Sequence, residues 1–130
     1  MKMVEGIIQP QKLDEVKSAL LQTGVQGMTV SKAEGFTRDH TRKEVYRSAT
    51  ITVDFVPMVK VQAVVEDDLL EQALNAIESS AKTGHIGDGK VFVWDVGQAL
   101  RIRTGETGED AVHRDIGTRI GGHVAVAGGI

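Results

Sequence analysis

The chain has 130 residues, a formal net charge of −3, no cysteine and 41% hydrophobic residues. That length fits one domain with a real core. The mild negative charge and the lack of a basic arm argue against a nucleic-acid partner, and the absence of cysteine excludes disulfides, thiolate catalysis and cysteine-based zinc sites. No apolar run approaches the roughly 20 residues needed to cross a bilayer, and Met1-Lys2-Met3-Val4-Glu5 lacks a signal pattern. A cytoplasmic protein with no direct membrane insertion is expected.

Lys2 to Ile8 alternates loosely and reads as a strand stopped by Pro10. Leu13, Val16, Ala19 and Leu20 recur at helical spacing and predict an amphipathic helix over about 12–22, with Gly24 past its last turn as a left-handed cap. Gly27 to Ala33 reads as a second strand closed by Gly35. Residues 36–48 mix charges of both signs with almost no apolar period, which predicts a loop long enough to carry function. Ala49–Phe55 and Val59–Val65 are β-branched runs on either side of Pro57, one bent strand or two. A second helix follows from Leu69, Leu70, Ala73, Leu74, Ile77 and Ala81, with Asp67 and Asp68 in its first turn and Lys82 at its end, in accord with the helix dipole.

The densest chemistry lies in Thr83-Gly-His-Ile-Gly-Asp-Gly-Lys-Val-Phe-Val-Trp-Asp-Val96. Gly84, Gly87 and Gly89 let the backbone turn at positive φ and approach a ligand without a Cβ in the way. The amides exposed by such a turn, with Lys90 at its exit, would cradle a phosphate; a plain helix-to-strand connection needing glycine is the alternative. Val91, Val93 and Trp94 form the following strand, Trp94 belonging to the core or a subunit interface rather than a cofactor platform. Ala99–Arg103 makes a short extension. From Thr107 to Ile130 no strand or helical period of useful length is legible, so 107–130 is expected to be a flexible extension, ordered by a ligand or a neighbour or not at all.

Strand, helix, strand, long loop, strand, helix, strand is the order of an α+β, ferredoxin-like βαββαβ sandwich, an antiparallel sheet with two helices on one face. The other sheet face also carries apolar residues, and a closed oligomer would cover it.

Several of these segments together resemble the P-II nitrogen-regulatory signalling proteins. Thr83-Gly-x-x-Gly-Asp-Gly-Lys-Val-Phe92 followed by Arg101-Ile-Arg-Thr-Gly-Glu106 looks like the family's pair of signatures. Ile8-x-Pro-x-Lys-Leu-x-x-Val16, Gly27-Met-Thr-Val30 and Val53-Asp-Phe-Val-Pro57 are similar as well. The resemblance covers residues 1–106. It implies a homotrimer with ATP or ADP as effector in clefts between subunits. It also implies a T-loop over about 36–55 that docks on a transporter or metabolic enzyme, a B-loop over 83–90 and a C-loop from Arg101.

Carried over position by position, the resemblance assigns Gly87, Asp88, Gly89 and Lys90 to the phosphates and Arg101 and Arg103, from the neighbouring subunit, to the same anion. Paired guanidiniums suit phosphate bidentately. Thr29 and Val64 match positions at the adenine, Thr37 and Arg38 open the loop beside the phosphates, and Ile7 and Gly35 line the cleft. Arg42, Glu44, Tyr46 and Arg47 fall in the partner-binding loop.

Three departures from the family bear on function. Met58 stands where the family has the lysine that pairs with 2-oxoglutarate, and a thioether donates nothing. Asp39 stands where the family has a glutamine that helps hold Mg²⁺; a carboxylate can ligate Mg²⁺ but repels a dicarboxylate. Ile51 and Ala49 occupy the positions of the tyrosine and serine that relatives have modified. A weak or absent 2-oxoglutarate response and no uridylylation are expected. His40, His85, His113 and His123 are too dispersed to make a metal site, and read as solvated loop residues. No set of residues can be assigned to catalysis, so the expectation is a nucleotide-responsive regulator, not an enzyme. A slow ATPase using the same cleft, or a sensor of another small molecule, is the alternative.

Overall fold

The computed structural model describes residues 1–36, 42–46, 49–53, 55–113, 116–120 and 123–126. Its centre is a four-stranded antiparallel sheet. β1 (Lys2–Ile8) and β5 (Val56–Val65) are the inner strands, and β2 (Thr29–Gly35) and β6 (Gly89–Asp95) the edges, in the order β2-β5-β1-β6. α1 (Leu13–Gln22) connects β1 to β2, and α2 (Leu70–Ala81) connects β5 to β6, which is the expected ferredoxin-like plan.

The register decides which residues meet the helices. Val4, Gly6 and Ile8 of β1 stand opposite Ala63, Val61 and Val59 of β5, and a Cβ on Gly6 would lie 3.7 Å from Ile77 Cγ2 of α2. Val16 and Leu20 of α1 and Ala73, Ile77 and Ala81 of α2, each set spaced by four residues, close the core from the other side. Fully burying one such aliphatic side chain is worth about 1.5–3 kcal/mol. The opposite face of the sheet carries Met3 beside Val64 and Trp94, Glu5 beside Gln62 and Phe92, and Ile7 between Lys60 and Lys90. Phe92 and Trp94 are exposed there.

Helix ends follow the sequence. Thr23 and Gly24 close α1 through bonds to Leu20 and Leu21 carbonyls, Gly24 at φ +100° as a left-handed cap. Both helices open with a single 3₁₀ turn, Pro10–Lys12 and Asp67–Leu69, the first using proline where no N–H is needed. The N-terminal ammonium bonds the Asp67 carboxylate at 2.9 Å, and this hydrogen bond holds the Asp67 pKa below its usual value.

Several local expectations require correction. β2 runs from Thr29 to Gly35, not from Gly27 to Ala33, because its pairing with β5 begins at Thr29 opposite Gln62 and continues to Gly35 opposite Val56. The segment read as a structureless loop contains β3 (Arg42–Tyr46), paired with β4 (Ala49–Val53) as a separate hairpin. The two runs around Pro57 are therefore two strands in two sheets, and Pro57 lies inside β5. It is tolerated because the β1 ladder ends at Ile8–Val59, leaving one side of β5 open at residue 57. Beyond Glu106, Thr107 bridges to Leu100, Gly108–Ala111 makes a 3₁₀ turn, and β7 (Ile116–Ile120) pairs with β8 (His123–Val126).

Candidate functional site

The glycine stretch folds around one carboxylate. Asp88 Oδ2 accepts from the backbone N–H groups of Thr83 at 2.7 Å and Gly84 at 2.9 Å, and Asp88 Oδ1 accepts from the Thr83 hydroxyl. The hydroxyl in turn accepts from the His85 amide at 3.2 Å. The Thr83 hydroxyl, then its amide, lower the Asp88 pKa. Asp88 is thus a brace inside the loop. Sequence reasoning placed Asp88 among the ligand contacts and missed the bracket. The signal was the threonine five residues before an aspartate embedded in glycines.

Three glycines of the loop need their glycine conformation: Gly84, Gly87 and Gly89 lie at φ +86°, +101° and +107°. At Gly89 the demand is also steric, since a Cβ would sit 1.7 Å from the Ile7 carbonyl oxygen. Gln9 donates to the Gly87 carbonyl at 3.2 Å and ties the loop to the end of β1.

Ile7, Gly35, Gly87, Asp88, Gly89 and Lys90 line one cleft of about 390 Å³, with Phe36, Met58 and Phe92. All six were singled out in the sequence. Gly35 makes room for Met58, whose Cγ would lie 2.9 Å from a Cβ there, and Met58 is only 8% exposed. The cleft therefore has a polar, amide-rich rim and an apolar wall, the two surfaces a phosphorylated ligand with a flat apolar part requires.

Thr29 and Val64 lie elsewhere. They line a second cleft of about 200 Å³ with Met3, Gln62, Leu100, Ala111 and Val112. Both clefts sit on the sheet face away from the helices, one beside Ile7 and the other beside Met3. Four residues of extended chain separate these, roughly 13 Å. Within one chain the expected nucleotide contacts are thus split into two half-sites.

Arg101 is 9% exposed. Its Nη2 donates to the Ala111 carbonyl at 3.0 Å and to the His113 carbonyl, while Nη1 lies 3.6 Å from Glu106 Oε1. The turn that presents it is closed by Arg101 N–H to Glu106 O and Gly105 N–H to Arg101 O, both 2.8 Å. Arg103 is exposed on the same turn. Thr37, Arg38, Asp39 and Arg47 lie outside the described residues. Arg42, Glu44 and Tyr46 fall on β3, opposite Val53, Ile51 and Ala49 of β4. Phe36 and Phe55, which flank this hairpin segment in the sequence, pack with tilted rings, centroids 6.3 Å apart and planes at 55°. Among the described residues no cluster of three or more His, Asp or Glu could hold a metal, and no helix is long and apolar enough to cross a membrane.

Comparison with known proteins agrees with this architecture. The family model for nitrogen regulatory protein P-II matches residues 1–106. A nitrogen regulatory protein P-II of Rhodospirillum rubrum is 54% identical over 112 residues, 86% of this chain and the whole of the relative. The protein of that name from Cereibacter sphaeroides is 55% identical over the same shares, and that from Pasteurella multocida 50%. These are regulatory proteins rather than enzymes, and the chain belongs to the nitrogen regulatory protein P-II family.

Proposed function

We propose that the chain is an ATP/ADP-binding, homotrimeric, cytoplasmic regulator that controls a transporter or metabolic enzyme through residues 36–55. The observation that carries this is the cleft around Gly87–Lys90, where the backbone at Gly89 approaches Ile7 so closely that no side chain fits. Amides at a turn of this kind, backed by the Lys90 ammonium, suit a phosphate chain. Bound nucleotide would bring concentrated negative charge to this rim, and Mg²⁺ would screen it, with Asp39 as its carboxylate ligand.

The division into two half-sites supports the trimer. Thr29, Val64 and the Arg101 turn sit at one end of the open sheet face, and the glycine loop at the other. A neighbouring copy brings the two ends together, and burial of exposed Phe92 and Trp94 would drive the association. Nucleotide state would then select conformations of 36–55, where Arg42, Glu44, Tyr46 and Arg47 meet the partner.

Met58 removes the carbon input: it is a buried thioether in the cleft wall and offers no donor to a carboxylate. Ile51 and Ala49 lack hydroxyls, so uridylylation and phosphorylation at those positions are chemically closed. Calorimetric titration of the purified protein with ATP and ADP in Mg²⁺, with and without 2-oxoglutarate, tests this. The expected result is nucleotide binding to which 2-oxoglutarate adds nothing. Strong tightening by 2-oxoglutarate would contradict the role given to Met58 and Asp39, and absence of nucleotide binding would remove the proposal.

A further inference from the structure

We propose that residues 107–113 are an in-cis latch on the Thr29–Val64 half-site, holding Arg101 until nucleotide displaces them. The proposal rests on the nucleotide reading above and adds a regulatory element to it. Four observations place the segment. Thr107 bridges to Leu100, and Gly108 N–H bonds Ala99 O at 3.0 Å, folding the chain back on the Arg101 turn. The 3₁₀ turn Gly108–Ala111 is extended by Val112 and His113 N–H groups, both bonded to Glu109 O. Ala111 and Val112 then form part of the wall of the cleft that holds Thr29 and Val64. Finally, His113 Nδ1 lies 2.7 Å from Glu66 Oε1, which anchors the segment just past the end of β5.

The consequence falls on Arg101. Two carbonyls of the latch accept from its Nη2 in a position only 9% exposed. Arginine takes phosphate through the same N–H groups, so phosphate and latch compete for one donor set. Ala111, Val112 and His113 lie beyond residue 106, where the family match ends. Affinity for nucleotide is thereby set by the segment that follows the family-model match.

The test compares the full chain with one truncated after Gly108, which keeps the Leu100–Thr107 bridge and the Gly108–Ala99 bond. Both are titrated calorimetrically with ATP and with ADP in Mg²⁺. Hydrogen exchange over 107–113 is followed in the full chain with and without saturating ATP, which decides the matter should the truncated chain not fold. The truncated chain is expected to bind about tenfold tighter, the range set by hydrogen bonds to a charged group, and ATP is expected to raise exchange over 107–113. Equal affinities with unchanged exchange overturn the latch and leave the nucleotide site standing. Weaker binding after truncation, or protection of 107–113 by ATP, overturns it too, because the segment would then be a wall of the bound site. Binding by neither chain overturns the nucleotide reading, and the latch with it.

Discussion

The two ends of the open sheet face are built on different principles. At the Ile7 end, the loop holds its shape by local chemistry: three glycines at positive φ and an aspartate bonded to residues four and five positions back. At the Met3 end, the shape depends on distant capture: Arg101 on carbonyls ten and twelve residues away, and His113 on Glu66. The first kind of site is held mainly by bonds among neighbouring residues, with Gln9 tying it to the end of β1. The second is conditional, and a ligand that offers Arg101 a better acceptor can rearrange it.

The sharpest way to break the local end is Gly89→Ala. The new Cβ meets the Ile7 carbonyl oxygen at 1.7 Å and the backbone sits at φ +107°, so β1 and β6 must part at that point. A loss of roughly 3 kcal/mol is expected, read as a lower urea midpoint, together with loss of nucleotide binding. A variant as stable as the parent would show that the approach of these strands is not the constraint described. At the conditional end, Arg101→Ala leaves the Ala111 and His113 carbonyls without that donor. About 2 kcal/mol is expected, with hydrogen exchange rising over 107–113 while exchange over 83–90 stays unchanged. Equal changes in both segments would mean that the two ends are one cooperative unit.

A smaller effect is expected from Met58→Lys, which puts an ammonium where a thioether is 8% exposed. Destabilisation of about 1–2 kcal/mol is expected, and a calorimetric 2-oxoglutarate response in Mg-ATP appears only when Asp39→Gln is added. A response in the parent protein would contradict the role of both residues.

The smallest effect concerns pH. Hydrogen bonds from the Thr83 hydroxyl and amide depress the folded-state pKa of Asp88 from its ordinary 3.8. A depressed carboxylate contributes stability that is fully present above the unfolded value and lost as pH falls through the folded one. The loop should therefore hold at neutral pH and loosen only below about pH 4. Asp88→Asn should flatten that acid limb of the stability curve, measured by thermal melts from pH 3 to 6. An unchanged limb would place the acid-sensitive group elsewhere.

What was legible in the sequence follows the same division. The helices were readable because Val16 and Leu20, or Ala73, Ile77 and Ala81, recur at the spacing that buries one stripe. The glycine loop was readable because glycine density has few other causes. The β3–β4 hairpin was not, because Arg42, Lys43 and Glu44 give β3 no apolar alternation to detect. The start of β2 was misplaced because β2 is an edge strand with mostly exposed residues, and its limits come from pairing with β5. Thr29 and Val64 were gathered with the nucleotide contacts by resemblance, and their separation from Ile7 and Lys90 within one chain emerges only from the register. Nothing local marks Arg101 as buried, since its acceptors lie in a segment without recognisable periodicity.

One nucleotide should engage the glycine loop of one copy and the Thr29–Val64–Arg101 end of its neighbour. Backbone amide NMR of the intact protein during an ATP titration tests it directly. Gly87, Gly89 and Lys90 are expected to shift together with Thr29, Val64 and Arg101, all with one saturation curve. Shifts confined to one end, or two curves of different midpoint, would contradict it.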